Sequence, residues 1–415
     1  MKIAGIPKEF KTFFNRFRDL FSKRQFFYFS VYIYGITVSP KDKKNVSQIA
    51  SAWVDPICRS SLQRFLSEVR WEFDKVMMRA RRQVISRIFQ QSKKKRHLEL
   101  VIDDTDIDKF GSQIFGVGWY RRSENERPWR AIQVVVLGAF FEDWFVPIDF
   151  WIYVKKQDCK YIKMKFVDKL TMAKDMLSKL SIPRDTSVDV MFDSWYLNEK
   201  VTSFIEDKKW HWFSRARCNR NVEWEKPKEG EKKKIKLSKY SSGIAWEPLL
   251  YQTKRKSRAL VGHQRIGYLN SLGRVKIVIS SLEYDGSARI AYFVSNQTQI
   301  QMVELIKKFE RRWKIEVYFR ESRAYLALEH WFFRDVASVV HHLCLSLVAM
   351  ISCFCVRLEE RKPNESLGTL GEFVRSLQQK NQRVILQKVL EEWNLEKMMG
   401  EDLIRFKELC ESIGL

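Results

Sequence analysis

The seven cysteines of this 415-residue chain form no even or regularly spaced set, since they lie at positions 58, 159, 218, 344, 353, 355 and 410. An odd, scattered set excludes a disulfide framework and predicts reduced thiols in the cytoplasm. Cys353 and Cys355 lie near His341 and His342. Their spacing is not that of a zinc knuckle and the stretch around them is apolar, so a metal cluster is the weaker interpretation.

Other features are missing as well. The first residues contain no apolar segment followed by a small-residue cleavage site, so we expect no signal peptide. The chain shows no repeat of fixed period. Only residues 337–356 are long and apolar enough to cross a bilayer, and they contain two adjacent histidines and a serine. We therefore predict a buried core helix there and no membrane partner.

Acidic residues are outnumbered, with 50 Asp and Glu against 75 Lys and Arg, which gives a formal net charge of +25. This excess favours a polyanion as the partner, because each neutralised phosphate releases a counterion. The 29 Phe, 14 Trp and 14 Tyr suit nucleobases as well, although most of them must fill the core. An apolar fraction of 45% excludes global disorder.

The hydrophobic pattern divides the chain into five predicted regions. Residues 1–95 read as short helices rich in Arg and Lys, which predicts a helical DNA-binding region or, equally, an ordinary helical bundle. Residues 96–213 contain strands that end in acids and then alternate with helices, as in a mixed α/β sheet. Residues 214–300 form a β-rich basic insertion, and 301–355 a glutamate-bearing helix and the core helix. Residues 356–415 are a C-terminal helical region, either a dimerisation element or a cap on the core.

Basic side chains are concentrated around the start of the insertion. The strand before it runs into Arg215, Arg217, Asn219 and Arg220, which we assign to DNA binding. Residues 226–239 then hold seven lysines, among them Lys232, Lys233 and Lys234. Such a run is usually a solvated loop, but the net charge favours a loop that follows phosphates.

Three acids are distinguished by their position. Asp104 and Asp193 end predicted strands, and carboxylates at the carboxyl ends of neighbouring strands converge at one edge of a sheet. Their hard oxygens suit Mg²⁺ or Mn²⁺, and two such ions about 3.5–4 Å apart activate a water and stabilise a leaving oxygen on phosphorus. Asp103 points to the opposite face of its strand from Asp104, so we expect one of the two to be a ligand and favour Asp104.

The third acid, Glu316, lies on a predicted long helix. Phe309 lies seven residues before it, Arg312 four residues before it and Arg323 seven residues after it. These spacings place all four residues on one stripe of a continuous helix. Arginine is suited to bidentate contact with phosphate. An ordinary surface salt bridge would explain Arg312 and Glu316, but not the aromatic ring and the second arginine.

The segments VIDDT (101–105), MFDSW (191–195) and FERRWKIEVYFRESR (309–323) resemble the three catalytic blocks of the DDE transposases of bacterial insertion sequences. The third block of the cut-and-paste branch, Tyr-x₂-Arg-x₃-Glu-x₆-Lys, reads here Phe309-x₂-Arg312-x₃-Glu316-x₆-Arg323. The resemblance covers about residues 45–350. It implies an α/β fold with a ribonuclease-H-like mixed sheet and a β-rich insertion, flanked by N-terminal and C-terminal helical regions.

The resemblance also implies an activity. Asp104, Asp193 and Glu316 would hold two Mg²⁺ ions, for which Mn²⁺ could substitute, while Arg312, Arg323 and Phe309 contact DNA near the cut. The enzyme would act on double-stranded DNA as a homodimer on paired transposon ends, in the cytoplasm at the nucleoid. Water frees a 3′-OH, which forms a hairpin on the opposite strand and, after reopening, joins target DNA.

Two departures bear on the hairpin step, which needs an aromatic ring stacked on a flipped base. Phe309 lacks the tyrosine hydroxyl, whereas Arg323 keeps the charge of lysine. Trp246 and Tyr292 are both candidates for stacking, and the sequence does not choose between them. Two further functions stay open: a catalytically silent, transposase-derived DNA-binding protein, and a structure-specific nuclease with the same core.

Overall fold

The computed structural model describes residues 2–40, 44–91, 96–121, 127–225, 233–241, 244–252, 257–281 and 290–392. They fall into two compact units. The helical unit takes its residues from Met1–Val84, Ile107–Ala131 and Tyr318–Leu415, and the sheet unit from Ile85–Asp106 and Ile132–Val317. The five regions predicted from the sequence cut the chain differently, and their boundaries stay a prediction.

The helical unit is built from both ends of the chain. Its helices are α1 (Lys8–Asn15), α2 (Lys23–Val38), α3 (Val46–Ala52), α4 (Arg59–Ser67), the first part of α5 (Phe73–Gln91), α12 (Val336–Glu360) and α13 (Leu370–Glu392). A 3₁₀ turn (Arg18–Leu20) and the strand β2 (Val117–Tyr120) also belong to it. Ser22 and Asn45 begin α2 and α3 with reciprocal capping boxes, which satisfy the free N–H groups of the first turn.

The helix α12 lies at the centre of this unit, in contact with α1, α2, α4 and α13. It is long and apolar enough to cross a membrane, with a mean hydropathy of 2.2, yet 94% of its most apolar window is buried in the protein. Its histidines hydrogen-bond within the core, His341 to the Leu66 carbonyl and His342 to the Tyr32 hydroxyl. Burial lowers the pKa of His342 to about 3, so its ring is neutral. The predicted buried helix is confirmed.

The sheet unit has five core strands: β1 (His97–Asp108), β3 (Trp129–Phe141), β4 (Trp144–Tyr153), β5 (Ser187–Phe192) and β6 (His211–Arg215). Their order is β4-β3-β1-β5-β6. Strands β3 and β4 are antiparallel, whereas β5 is parallel to both β1 and β6. The connecting helices are α6 (Lys156–Tyr161), α7 (Lys169–Ser178) and α8 (Glu199–Asp207). This order, with the first strand at the centre, is that of a ribonuclease-H-like core and confirms the predicted fold class.

The β-rich insertion extends the core sheet. Its elements are β7 (Asn221–Trp224), β8 (Lys234–Lys236), α9 (Leu237–Ser241), β9 (Glu247–Gln252), β10 (Ser257–Leu269), β11 (Gly273–Ser281) and β12 (Ala291–Ser295). The strand β12 pairs antiparallel with both β11 and β6. The insertion therefore continues the sheet from its β6 edge.

The predicted single helix around Glu316 is wrong in one respect. It is divided into α10 (Met302–Arg311) and α11 (Lys314–Tyr325). Between them Arg312, Trp313 and Glu316 each donate a backbone hydrogen bond to the carbonyl three residues earlier, at 3.0–3.1 Å. This is the tighter 3₁₀ spacing, so residues on either side of Trp313 do not follow one straight stripe.

Candidate active site

The strands β1 and β5 bring two of the predicted acids together. Their parallel register runs from His97 beside Ser187 to Ile102 beside Phe192, so Asp103 and Asp193 come directly after the last paired residues. Burial raises the pKa of Asp103 to about 7, the Arg312 guanidinium opposes this, and the carboxylates of Asp193 and Asp104 raise it further. Asp193 follows the end of β5, but β1 continues to Asp108, so Asp103 and Asp104 lie within β1 and not at its end as predicted. Asp103 is close enough to both Asp193 and Asp104 for its carboxylate to be repelled by theirs.

Asp103 and Asp104 have different partners, as expected of neighbours on a strand. Asp103 is 7% exposed and accepts a hydrogen bond from Arg312, which follows α10. Asp104 accepts a hydrogen bond of 2.8 Å from the ammonium group of Lys169, which lies on α7. Different partners are consistent with the predicted opposite directions of the two side chains, which stay a prediction. Asp103, rather than Asp104, faces the helix that leads to Glu316, so which one is the metal ligand stays a prediction.

Tyr196 links the second acid to the first. Its backbone N–H lies 3.3 Å from Asp193 Oδ1, which also accepts from the Trp195 N–H at 2.9 Å. Its hydroxyl donates to Asp104 Oδ1 at 3.0 Å. Burial, and then the neighbouring carboxylates, raise the pKa of Tyr196, so it stays protonated. Both Asp104 and Asp193 are thus oriented by one buried residue.

Glu316 is half-buried in the first turn of α11. Arg312, four residues before it, contacts Asp103, which brings the beginning of α11 close to Asp103 on β1. The ordinary surface salt bridge between Arg312 and Glu316 is therefore not formed, because Arg312 pairs with Asp103. Among the residues that the structure describes, none forms an ion pair or hydrogen bond with the Glu316 carboxylate. This acid is available for a ligand.

The other two residues of the predicted stripe are engaged elsewhere. Phe309 is 8% exposed and packs edge-on against Phe293, with ring centroids 5.5 Å apart. The Arg312 guanidinium lies 5.3 Å from the Phe309 ring, so the ring supports the arginine. Arg323, in the helical unit, forms an ion pair with Glu329. Contact of Phe309 or Arg323 with DNA stays a prediction.

The predicted basic residues of the insertion differ in their exposure. Arg217, Asn219 and Lys234 are exposed. Lys233 is also exposed but pairs with Glu223 at 2.9 Å, whereas Lys232 lies outside the described residues.

Arg215 and Arg220 are half-buried at the junction with the core sheet. Arg215 lies over the Phe293 ring at 5.9 Å, and Arg220 donates to the Leu197 carbonyl. Of the two aromatic candidates, Trp246 is half-buried, while Tyr292 is buried with its hydroxyl 2.9 Å from that of Ser241.

Lys169 and Tyr196 were not among the residues predicted from the sequence. Tyr196 had a signal, because it follows Asp193 by three residues in a strand-to-helix turn, where its backbone N–H can reach that acid. Lys169 had none, since it lies 65 residues from Asp104 in the chain and only the packing of α7 brings them together.

A family model described as DDE superfamily endonuclease matches residues 16–241, more than half of the chain. No curated protein matches. Among solved structures, the chain is similar to the piggyBac transposase in a cryo-EM synaptic complex with hairpin DNA. That match has 10% sequence identity and a TM-score of 0.48, and covers 95% of this chain and 76% of the other.

Proposed function

The chain belongs to the DDE superfamily of endonucleases, and from this premise we propose that it is a DNA transposase. It binds the ends of an insertion sequence, cleaves them by two-metal phosphoryl transfer and joins the 3′-OH ends to target DNA. One observation supports this most: Asp103 and Asp104, within β1, lie near Asp193, which follows β5, and the contact of Arg312 with Asp103 brings in the helix that carries Glu316.

The acids fit a divalent cation. Burial raises the pKa of Asp103 to about 7 against the opposing effect of Arg312, and the carboxylates of Asp193 and Asp104 add to the rise. Carboxylate oxygens are the ligands that Mg²⁺ and Mn²⁺ prefer. Asp104, Asp193 and Glu316 would hold the two ions. When bound, such ions activate a water and stabilise the leaving oxygen on phosphorus.

The protein's own residues orient these acids and receive the DNA backbone. Tyr196 and the Trp195 N–H hold Asp193, and Tyr196 and Lys169 hold Asp104. Arg312, fixed between Asp103 and the Phe309 ring, would contact the phosphate next to the cut through its remaining donors. Arg323 would exchange Glu329 for a neighbouring phosphate.

Binding of DNA outside the cut would rest mainly on charge. The net charge of +25 favours the phosphate backbone, and Arg217, Asn219 and Lys234 are exposed on the insertion. The enzyme would act as a homodimer on paired ends. If the hairpin step takes place, Trp246 is the better candidate for stacking, because the Tyr292 ring is 5% exposed and its hydroxyl is bonded to Ser241.

The test is nicking of DNA that carries the element's own terminal repeats. Wild-type protein should release a 3′-OH in Mg²⁺ or Mn²⁺ and none in EDTA, and Asp193→Ala should abolish cleavage while still binding the repeats. Asp185→Asn, at an exposed acid that precedes β5, is the control and should cleave like the wild type. Equal cleavage by Asp193→Ala and the wild type would contradict the proposal.

One observation favours the catalytically silent alternative: the Lys169 ammonium already contacts Asp104 and supplies part of the positive charge that a metal ion would bring. On that alternative the protein binds the repeats and does not cut them even in Mn²⁺. A nuclease with the same core would cut but would not join the 3′-OH to a second DNA, so a strand-transfer assay separates it from a transposase.

A further inference from the structure

A second group of charged residues lies in the sheet unit, nearer the beginning of β1 and β5. We call it the strand-centre cluster: Glu99 on β1, Asp189 on β5, and Lys308 and Arg311 on α10. Glu99 and Asp189 are partners in the register of the two strands. Glu99 precedes Asp103 by four residues, or ~13 Å of strand. Nothing in the proposed chemistry uses this cluster directly.

The contacts within the cluster are dense. Lys308 contacts Asp189, and its ammonium lies 3.7 Å from Glu99 Oε1. Arg311 contacts both Glu99 and the Glu142 carbonyl. The Asp189 side chain is 3% exposed and that of Glu99 13%. Two protein cations therefore neutralise two buried carboxylates.

Two histidines flank the cluster, and one arrangement resembles a metal site. His97 Nε2 and His211 Nδ1 each lie 3.4 Å from an Asp189 oxygen. Ligand atoms of His97, Glu99 and Asp189 all lie within 4.8 Å of one another. A divalent ion there would have to displace the Lys308 ammonium, which already bridges the two carboxylates. The geometry favours the lysine as the resident cation.

Such a cluster fixes a geometry better than it stabilises a fold. Buried ion pairs give little net stability compared with apolar residues of similar volume, but they can specify one arrangement among several. The apolar contacts of α10, through Leu305, Ile306 and Phe309, allow small rotations and shifts against the sheet. The contacts of Lys308 and Arg311 with acids on two strands do not allow such movements.

The position of α10 determines that of Glu316. Consecutive residues of the chain, Arg311 and Arg312, contact acids four residues apart on β1. Backbone hydrogen bonds across the 3₁₀ turn then link the end of α10 to Glu316, which follows Lys308 by ~12 Å of helix. A misplacement of about 1 Å at a reacting group costs roughly 100-fold in rate.

We propose that Lys308 and Arg311, held by Asp189 and Glu99, are positioning residues that set where Glu316 meets the metal-binding aspartates. This inference rests on the proposed function. It predicts that the strand-centre cluster controls metal affinity at a site whose ligands it does not touch.

The test compares Lys308→Met with Lys307→Met, the same change at the adjacent, exposed position. Mn²⁺ binding to the whole protein is measured by electron paramagnetic resonance, together with the Mn²⁺ dependence of cleavage. Lys308→Met should weaken Mn²⁺ binding about tenfold, Lys308→Arg should restore most of it, and Lys307→Met should bind within about twofold of wild type. Affinity for terminal-repeat DNA should change less than twofold in all three variants.

Wild-type Mn²⁺ affinity in Lys308→Met would overturn the inference. So would loss of Mn²⁺ binding in His97→Ala combined with its retention in Glu316→Ala, because the cluster would then be the metal site. If Lys308→Met fails to fold, Arg311→Lys, which keeps the charge and changes the reach, should show the same loss. Mn²⁺ binding that follows these expectations without any cleavage would contradict the proposed function and leave the positioning role standing.

Discussion

The same two strands carry two groups of acids with opposite charge balance. In the strand-centre cluster, burial raises the pKa of Glu99 and of Asp189, but His97, His211, Lys308 and Arg311 outweigh it and the net pKa of each is lowered. In the second group, formed by Asp103, Asp104 and Asp193, burial raises the pKa of Asp103 to about 7, and the two neighbouring carboxylates raise it further against the opposing effect of Arg312.

This difference assigns a structural role to the first group of acids and a chemical role to the second, on the same sheet. The strand-centre cluster contains its own cations and needs nothing more. In the second group Arg312 contacts Asp103 and Lys169 contacts Asp104, while Asp193 accepts backbone N–H bonds. Within the described residues these acids outnumber the cations that contact them, as expected of a site that takes up metal ions. The contrast also explains how α10 can anchor to the first group while α11, which follows it, presents Glu316 to the second.

Removal of the third acid should have the largest effect. Glu316→Gln keeps the shape of the side chain and removes the charge needed by the ions, so cleavage should fall at least about 1000-fold, about 4 kcal/mol in the barrier. Glu310→Gln, an exposed acid on α10, should cleave normally. Single-turnover nicking of terminal-repeat DNA measures both, and a Glu316→Gln enzyme within tenfold of wild type would contradict the role.

The raised pKa of Asp103 should make the stability of the metal-free protein depend on pH. Its pKa is about 7 in the folded protein against an ordinary 3.8. Between these values the folded state binds more protons than the unfolded state, so stability from this group falls as pH rises from about 4 to about 7, by up to about 4 kcal/mol.

Asp103→Asn lacks this titration, so its free energy of unfolding relative to wild type should rise over that window. Denaturant unfolding in EDTA at several pH values measures the difference. Repeating it with Mn²⁺ should reduce the difference, since the ion would offset the charge. A difference in the free energy of unfolding that does not change with pH would contradict the raised pKa of Asp103.

Comparison of the two adjacent aspartates tests which one is the ligand. Asp104→Asn should reduce cleavage about 100-fold or more, as loss of a metal ligand. Asp103→Asn should reduce it only about tenfold, because it loosens Arg312 and leaves the ligands in place. Cleavage at saturating Mn²⁺ measures both. If Asp103→Asn instead reduced cleavage more than Asp104→Asn, the metal ligand would be Asp103, which Arg312 contacts.

The smallest effect is expected at Arg323. Arg323→Lys retains the charge and should keep DNA affinity within about threefold, whereas Arg323→Ala should lower it about tenfold and reduce the salt slope by about 1. Glu329→Gln, which frees the guanidinium from its ion-pair partner, should raise affinity slightly. Titrations over a range of salt concentrations would test this, and an unchanged slope in Arg323→Ala would exclude a phosphate contact.

Elements set by local pattern could be predicted from the sequence. The strand that leads to Asp193, the buried helix α12 and the β-rich insertion follow from periodicity and from the three motif blocks. The strand that carries Asp104 was also predicted, but it continues to Asp108. The strand order then brings Asp103, Asp104 and Asp193 together.

Contacts made by distant residues could not be predicted. The pairing of Arg312 with Asp103 depends on the 3₁₀ turn after α10, which the helical spacing of the motif did not indicate. Lys169 and the strand-centre cluster depend on how α7 and α10 pack on the sheet, and exposed and buried charges look alike in a sequence. For the same reason the packing of the Phe309 ring against Phe293 could not be predicted, while its contact with DNA stays a prediction.

The most direct measurement is the anomalous scattering of Mn²⁺ in crystals of the protein with its terminal-repeat DNA. We expect Mn²⁺ peaks enclosed by Asp104 on β1, Asp193 after β5 and Glu316 on α11. A peak held instead by His97, Glu99 and Asp189, with Glu316 remote from both aspartates, would contradict this expectation.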